Sequence, residues 1–141
     1  MRFINCLPVI VLVLFTVACK RGPKGPDDRD QFLGTYAATD RCSFDTTSYV
    51  LIIEKVGSAN EVQFEGDGLY DIGYIIKGLV TGSKLVIPIQ QISISTTPPI
   101  HYEFTGQGAL NGSELKLDYT VITVQDGLVI NEDSCLTTCV K

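Results

Sequence analysis

From Gln31 onward, apolar and polar residues alternate with a period of two. The clearest run is residues 114–121, where Leu115, Leu117, Tyr119 and Val121 interleave with Glu114, Lys116, Asp118 and Thr120. Such alternation gives a strand one dry face and one wet face. Looser versions occupy residues 32–41, 49–56, 61–66, 74–81, 84–91, 101–108 and roughly 133–141, so the pattern predicts about eight strands. The breaks carry turn chemistry, above all Asn111-Gly112 and Asp126-Gly127, with VGSAN at 56–60 and TGS at 81–83. Asn-Gly and Asp-Gly tolerate positive φ at both central positions of a type I′ hairpin turn, so successive strands are expected to pair antiparallel. Residues 95–100, STTPPI, hold two prolines without an amide donor and are expected to form a longer loop. Residues 66–73, GDGLYDIG, are expected to form a long hairpin loop.

The predicted architecture is an all-β antiparallel meander of about eight strands. It can close into a barrel, which removes exposed edges, or fold as a β-sandwich. Tyr36, Leu51, Phe64, Ile76 and Phe104 fall on the inward face. An eight-stranded barrel is either filled by such side chains or keeps a cavity for one small apolar ligand, which these five would line.

The N-terminus follows a different rule. Arg2 precedes an apolar run over residues 3–18 that is too short for a comfortable membrane span and reads as an export signal. The run ends "VLVLFTVACKRG", and residues 14–19, with the small Ala18 directly before Cys19, resemble the lipobox of bacterial lipoproteins. The resemblance implies removal of residues 1–18 and acylation of Cys19 as the new N-terminus. Each buried CH₂ of such an anchor adds about 0.8 kcal/mol, so three acyl chains hold a small protein on a bilayer for good. Lys20 stands where inner-membrane lipoproteins tend to have Asp, which implies sorting to the outer membrane. Cleavage after Ala18 without lipid, and an uncleaved anchor, are the alternatives, and both still export the chain.

Residues 20–30 carry Gly, Pro and charge but no apolar side chain, so residues 19–30 are expected to be a lipidated cysteine and flexible tether before a single domain at 31–141. Asp27, Asp28 and Asp30 are interleaved with Arg29 and lack the ordered ligand geometry of a hard-cation loop.

Composition agrees with one globular β domain: 141 residues, 45% hydrophobic, 19% charged, with 13 Gly, 6 Pro and no Trp. The net charge is −5, and after Asp30 six Lys or Arg face thirteen Asp or Glu, a balance of −7. That sign argues against a nucleic-acid partner.

Once Cys6 leaves with the signal and Cys19 takes lipid, Cys42, Cys135 and Cys139 remain in an oxidising compartment where bridges form. In an even-stranded antiparallel barrel the end of the first strand lies beside the start of the last. That favours Cys42 with Cys135, with Cys42 to Cys139 as the alternative, roughly 13 Å further along an extended strand. A bridge closing a loop of this length contributes about 4–5 kcal/mol in the chain-entropy model. Cys135 and Cys139 lack C-x-x-C spacing, which argues against a redox pair and leaves Cys139 as a buried free thiol.

Catalytic candidates are few. His101, the one histidine, falls on an outer face beside Glu103 and is expected to be solvated. Carboxylate pairs such as Asp67 with Asp71, or Glu103 with Asp118, fall on strand exteriors or loops, where ordinary solvated acids are expected. Zinc would need more ligands than the unassigned His and Cys supply. No catalytic residue, metal or cofactor is therefore assigned, and the chain is not expected to be an enzyme.

The segments "FLGTYAATDRC", "SYVLIIEKVG", "GLVTGSKLVIPIQQ", "GQGALNGSELKLDYTV" and "DSC" resemble small exported lipoproteins of Gram-negative anaerobes that carry a lipocalin-like or calycin-like β domain. The pattern spans most of residues 32–141 and opens with G-x-Y at Gly34 and Tyr36, where lipocalins usually open G-x-W. The resemblance implies a lipocalin-like barrel anchored by lipid in the cell envelope, at the periplasmic or surface face of the outer membrane. The expected role is structural or partner-binding, with an envelope protein meeting the acidic exterior or the loops at 66–73 and 95–100. The alternative is a carrier of a small apolar ligand.

Overall fold

Eight antiparallel strands follow one another in chain order and close on themselves: β1 Gly34–Arg41, β2 Thr46–Lys55, β3 Glu61–Gly66, β4 Ile76–Thr81, β5 Lys84–Thr96, β6 Pro99–Asn111, β7 Glu114–Gln125 and β8 Leu128–Val140. Each strand pairs with the next, and β8 returns to β1, with Arg41 opposite Leu136 and Ala37 opposite Val140. The structure, a computed structural model, describes residues 25–57 and 59–141. The expected export signal, and Cys19 with residues 20–24 of the expected tether, lie outside these residues. The fold is all-β and the barrel is closed, so the sandwich alternative is overturned.

The period-two pattern sets the inside. In β7, Leu115, Leu117, Tyr119 and Val121 are buried while Lys116 and Asp118 are exposed. Opposite walls add Tyr36, Leu51, Ile53, Phe64, Ile76, Leu85, Ile87 and Phe104, and all of these pack in one continuous core. Burying a side chain of this size stabilises the fold by about 1.5–3 kcal/mol, and truncating one such as Phe64 to Ala costs about 3–5.

At one end of the barrel, a 3-10 turn at Asp28–Gln31 leads into the fully buried Phe32. The Tyr36 hydroxyl donates to the Phe32 carbonyl at 2.7 Å. Arg29 forks onto both Asp27 oxygens, Lys55 Nζ lies 3.1 Å from the same carboxylate, and Asp28 Oδ2 accepts the Gly82 N–H at 2.8 Å. Residues 27–30, expected within the tether, are thus bonded to the barrel and cover its base. The Arg29 hydrogen bonds draw the Asp27 pKa far below the usual carboxylate value, against a smaller opposing effect of burial.

At the other end, β5 to β8 run past the rest of the wall. The longer loop expected at 95–100 is instead a two-residue turn. Thr96 pairs with Pro99 across Thr97 and Pro98, which are joined by a cis peptide bond. The prolines occupy the turn and the first position of β6, where a missing donor breaks no ladder. β8 begins at Leu128, earlier than the alternation suggests, because Asp126 (φ 51) and Gly127 (φ 78) make a two-residue turn directly out of β7.

Two seams release these taller strands. β1 ends opposite Leu136, so residues 128–135 of β8 pair only with β7. On the far side, β4 pairs with β5 only where Leu79, Val80 and Thr81 meet Val86, Leu85 and Lys84. β5 then shifts register between Ile87 and Gln90. There the Gln90 side chain replaces a ladder rung: its Oε1 accepts the Lys77 N–H at 2.9 Å and its Nε2 donates to the Lys77 carbonyl at 2.8 Å.

Candidate functional site

The inward series Tyr36, Ala38 on β1 continues to an acid. Asp40 is 2% exposed, and three hydroxyls from three other strands donate to it. Tyr49 of β2 donates to Oδ1 at 2.9 Å, Tyr119 of β7 donates to Oδ2, and Thr137 of β8 donates to Oδ1. A lone buried carboxylate would be costly, and three donors converging from β2, β7 and β8 offset that cost and tie the mouth of the barrel together. Gly106 makes room for this. It lies opposite Tyr119, and a Cβ there would sit 2.4 Å from the Tyr119 Cβ and 2.6 Å from the Asp118 carbonyl oxygen. Burial, with Asp40 nearby, raises the pKa of both Tyr49 and Tyr119, so at neutral pH they act as donors.

Next to this network, Cys42 is bonded to Cys135, joining the end of β1 to β8 across a sequence separation of 93. The preferred pairing is the one observed. Cys135 sits in the middle of β8 rather than near its start, and the two thiols still meet because β1 stops there. Cys139 is a buried free thiol whose pKa is pushed up to about 12 by burial and by Asp40.

Asp133, one alternation above Cys135, is 3% exposed and accepts the Ser43 N–H at 2.8 Å and the Tyr70 hydroxyl at 2.8 Å. Burial pushes its pKa up, but the Ser43 and Tyr70 hydrogen bonds outweigh this and hold it below the usual carboxylate value. Tyr70 is pushed up to about 12 by burial and by Asp133. A depression of about 230 Å³ opens here, lined by Asp40, Asp45, Thr47, Tyr70, Asp71 and Asp133. Donor atoms of Cys42, Asp133 and Cys135 lie within 4.8 Å of one another, but the disulfide consumes both sulfurs and leaves one carboxylate, too little for a metal centre. The hydroxyls of Tyr49, Tyr119, Thr137 and Tyr70, donating to the buried carboxylates of Asp40 and Asp133, make a polar plug that braces the mouth.

The other expected residues fall elsewhere. Tyr36, Leu51, Phe64, Ile76 and Phe104 are all inward and fully buried, and they pack on one another. None of the five lines the mouth depression. His101 is half-buried on the tall part of β6, with Nε2 3.4 Å from Glu103 Oε1, which also accepts from Gln91 at 2.6 Å. Glu103 lies opposite Ile122 and Asp118 opposite Gln107, so that pair is not brought together. Asp67 prolongs the β2–β3 pairing just past Gly66, its side chain accepting the Val50 N–H at 2.8 Å and its own N–H donating to the Val50 carbonyl at 3.0 Å. Asp40, Asp133 and Thr137 are not among the residues that the alternation singles out. Their signal is an acid or hydroxyl at an inward position of an otherwise apolar series.

No protein-family model matches the chain, and no curated protein sequence matches it. Among solved structures, the chain is similar to one described as a redesigned beta barrel, at 14% identity and a TM-score of 0.54, over 84% of this chain and 98% of that one. A likeness at this identity concerns the fold alone: a small antiparallel barrel of eight strands.

Proposed function

We propose that the protein is an exported lipoprotein, held at the outer membrane by an acylated Cys19, whose barrel serves a structural or partner-binding role in the cell envelope. The observation that carries this reading is the filled interior: Tyr36, Leu51, Phe64, Ile76 and Phe104 are each 0% exposed and occupy the space a carried ligand would need. With these side chains filling the interior, this reading assigns recognition to the outer surface and the loops.

Two further features support the location. The Cys42–Cys135 bridge suits an oxidising compartment. Charged and polar residues such as Lys116, Asp118 and Thr120 face outward from an apolar core, the reverse of a barrel that crosses a membrane on its strands. The barrel therefore stands beside the bilayer, tethered through the segment before Gly25.

Mass spectrometry of the chain isolated from membranes tests the anchor, with an acylated N-terminal peptide beginning at Cys19 expected and an unmodified Cys19 overturning it. A thermal-shift series with fatty acids, sterols and haem tests the filled interior. No stabilisation is expected, and a saturable rise in Tm with any of them would replace this reading with a carrier function.

A further inference from the structure

Where β8 rises above β1, it presents a strand edge that no other strand covers among the described residues. Its direction can be read from Ser134, whose N–H points away from β7 and is accepted by Ser43 Oγ at 3.3 Å. The ladder from Asn131 to Ser134 is regular, so the two-residue alternation points the Glu132 N–H and carbonyl to the same open side. Next to it, Leu128, Val129 and Ile130 are 70%, 63% and 56% exposed, and Phe44 in the β1–β2 connection is 79% exposed. An uncovered edge with a run of apolar side chains is a template for strand addition, and proteins blunt such edges unless something pairs with them.

The charges nearby choose the occupant. Asp45, Asp71, Asp126 and Glu132 are exposed at this end with one cation, Arg41 at the close of β1, among them, so acid prevails there by four to one, whereas Lys55, Lys84, Lys116 and Lys141 lie at strand ends toward the opposite one. A second copy paired edge to edge would bring Glu132 and Asp126 of both chains together, and like charges across a strand pair are destabilising. A cationic strand meets no such penalty.

We propose that residues 128–132 of β8 take up an extended segment of an envelope partner as an added strand, the segment carrying apolar residues interleaved with Lys or Arg. The proposal rests on the partner-binding reading above and gives it a surface and a chemistry. Main-chain bonds at Glu132 would supply register, the apolar trio would supply buried area, and the acidic surroundings would select the sign of the partner.

The test uses the full-length chain in detergent micelles with a synthetic probe peptide, Lys-Val-Lys-Val-Thr-Val-Lys, and its counterpart with Glu in place of each Lys. Saturable binding of the lysine peptide is expected, at least about tenfold tighter than the glutamate peptide and weakened by salt, with slowed amide exchange confined to residues 128–134. Glu132→Pro removes the outward N–H without touching a bond to β7, and Ile130→Lys alters an exposed side chain. Each is expected to weaken binding about tenfold, equivalent to about 1.4 kcal/mol, with unchanged near-ultraviolet circular dichroism as the folding control. Equal binding of the two peptides, protection elsewhere, or indifference to both variants overturns the assignment. Photo-crosslinkers placed at positions 44 and 86 in intact cells separate the two levels: adducts from 86 alone overturn the β8 edge but keep a partner-binding role, and adducts from neither overturn both.

Discussion

Tyr119 and Asp40 are 79 residues apart in sequence, yet the Tyr119 hydroxyl donates to Asp40 Oδ2 inside the barrel mouth. The same carboxylate accepts from Tyr49 and Thr137, so one side chain on β1 fixes three other strands. Asp40→Ala leaves three buried donors unpaired and is expected to cost about 3 kcal/mol, whereas Tyr119→Phe removes one donor and costs about 1–2. Because the two share a bond, the double variant should cost clearly less than the sum. Urea midpoints for the four proteins check this, and strict additivity would mean that the network is not coupled.

The Cys42–Cys135 bridge closes a loop spanning a sequence separation of 93. The chain-entropy model assigns such a loop about 4–5 kcal/mol, a large share of the stability of a domain of this size. Cys42→Ser with Cys135→Ser should therefore lower the urea midpoint by a comparable amount while keeping the far-ultraviolet spectrum of a β protein. A loss under 1 kcal/mol would show that the strand ladder at Arg41 and Leu136 closes the barrel without help from sulfur.

Gly106→Ala is expected to cost about 1–3 kcal/mol, because the new methyl group would collide with Tyr119 and with the Asp118 backbone, neither of which can swing aside. Gly112 offers a control. Its added Cβ meets nothing within 4 Å, but its φ of 63° makes Ala about 1 kcal/mol unfavourable through backbone conformation alone. The two substitutions also differ in kind: only Gly106→Ala should disturb near-ultraviolet signals from Tyr119.

Stability should fall at both ends of the pH range, for separate reasons. The Asp133 pKa is lowered in the folded protein, so its contribution is present above the unfolded value of about 3.9 and is lost as pH falls below it. Tyr36 and Tyr70 are each raised to about 12, with burial the main cause, and Tyr49 and Tyr119 are raised as well. A raised folded pKa stabilises below the unfolded value of about 10 and is lost as pH climbs through it. Absorbance at 295 nm should therefore show these four tyrosines ionising together with alkaline unfolding. A smooth titration centred near pH 10 with the fold intact would contradict the buried placement.

The strand count and the antiparallel meander are legible because each rests on local spacing, and the Cys42–Cys135 bridge because closure of an even-stranded antiparallel barrel sets the end of its first strand beside its last. Leu115, Leu117, Tyr119 and Val121 alternate, and Asn111-Gly112 and Asp126-Gly127 punctuate. The tall hairpins were not readable. Pro98 and Pro99 signalled a break, and only the pairing of Thr96 with Pro99 makes that break a two-residue turn. Likewise, Asp27, Asp28 and Arg29 look like solvated charges until Lys55 meets Asp27, the Gly82 amide donates to Asp28 and the Glu61 carbonyl accepts from Arg29. The mouth network depends in the same way on partners brought together by closure. An inward acid at Asp40 is visible in the alternation, but its three donors are not.

The Gln90 clasp on Lys77 has a mechanical meaning. β6 and β7 are zipped from Ile100 to Asn111, while β4 and β5 share only a short ladder before this single amide takes over. The staves of the cask are therefore unequally glued, and at the joint beside Gln90 the wall is held by three residue pairs and one amide. The latch of that slot is a neutral side chain, so its grip is indifferent to acid, alkali and salt.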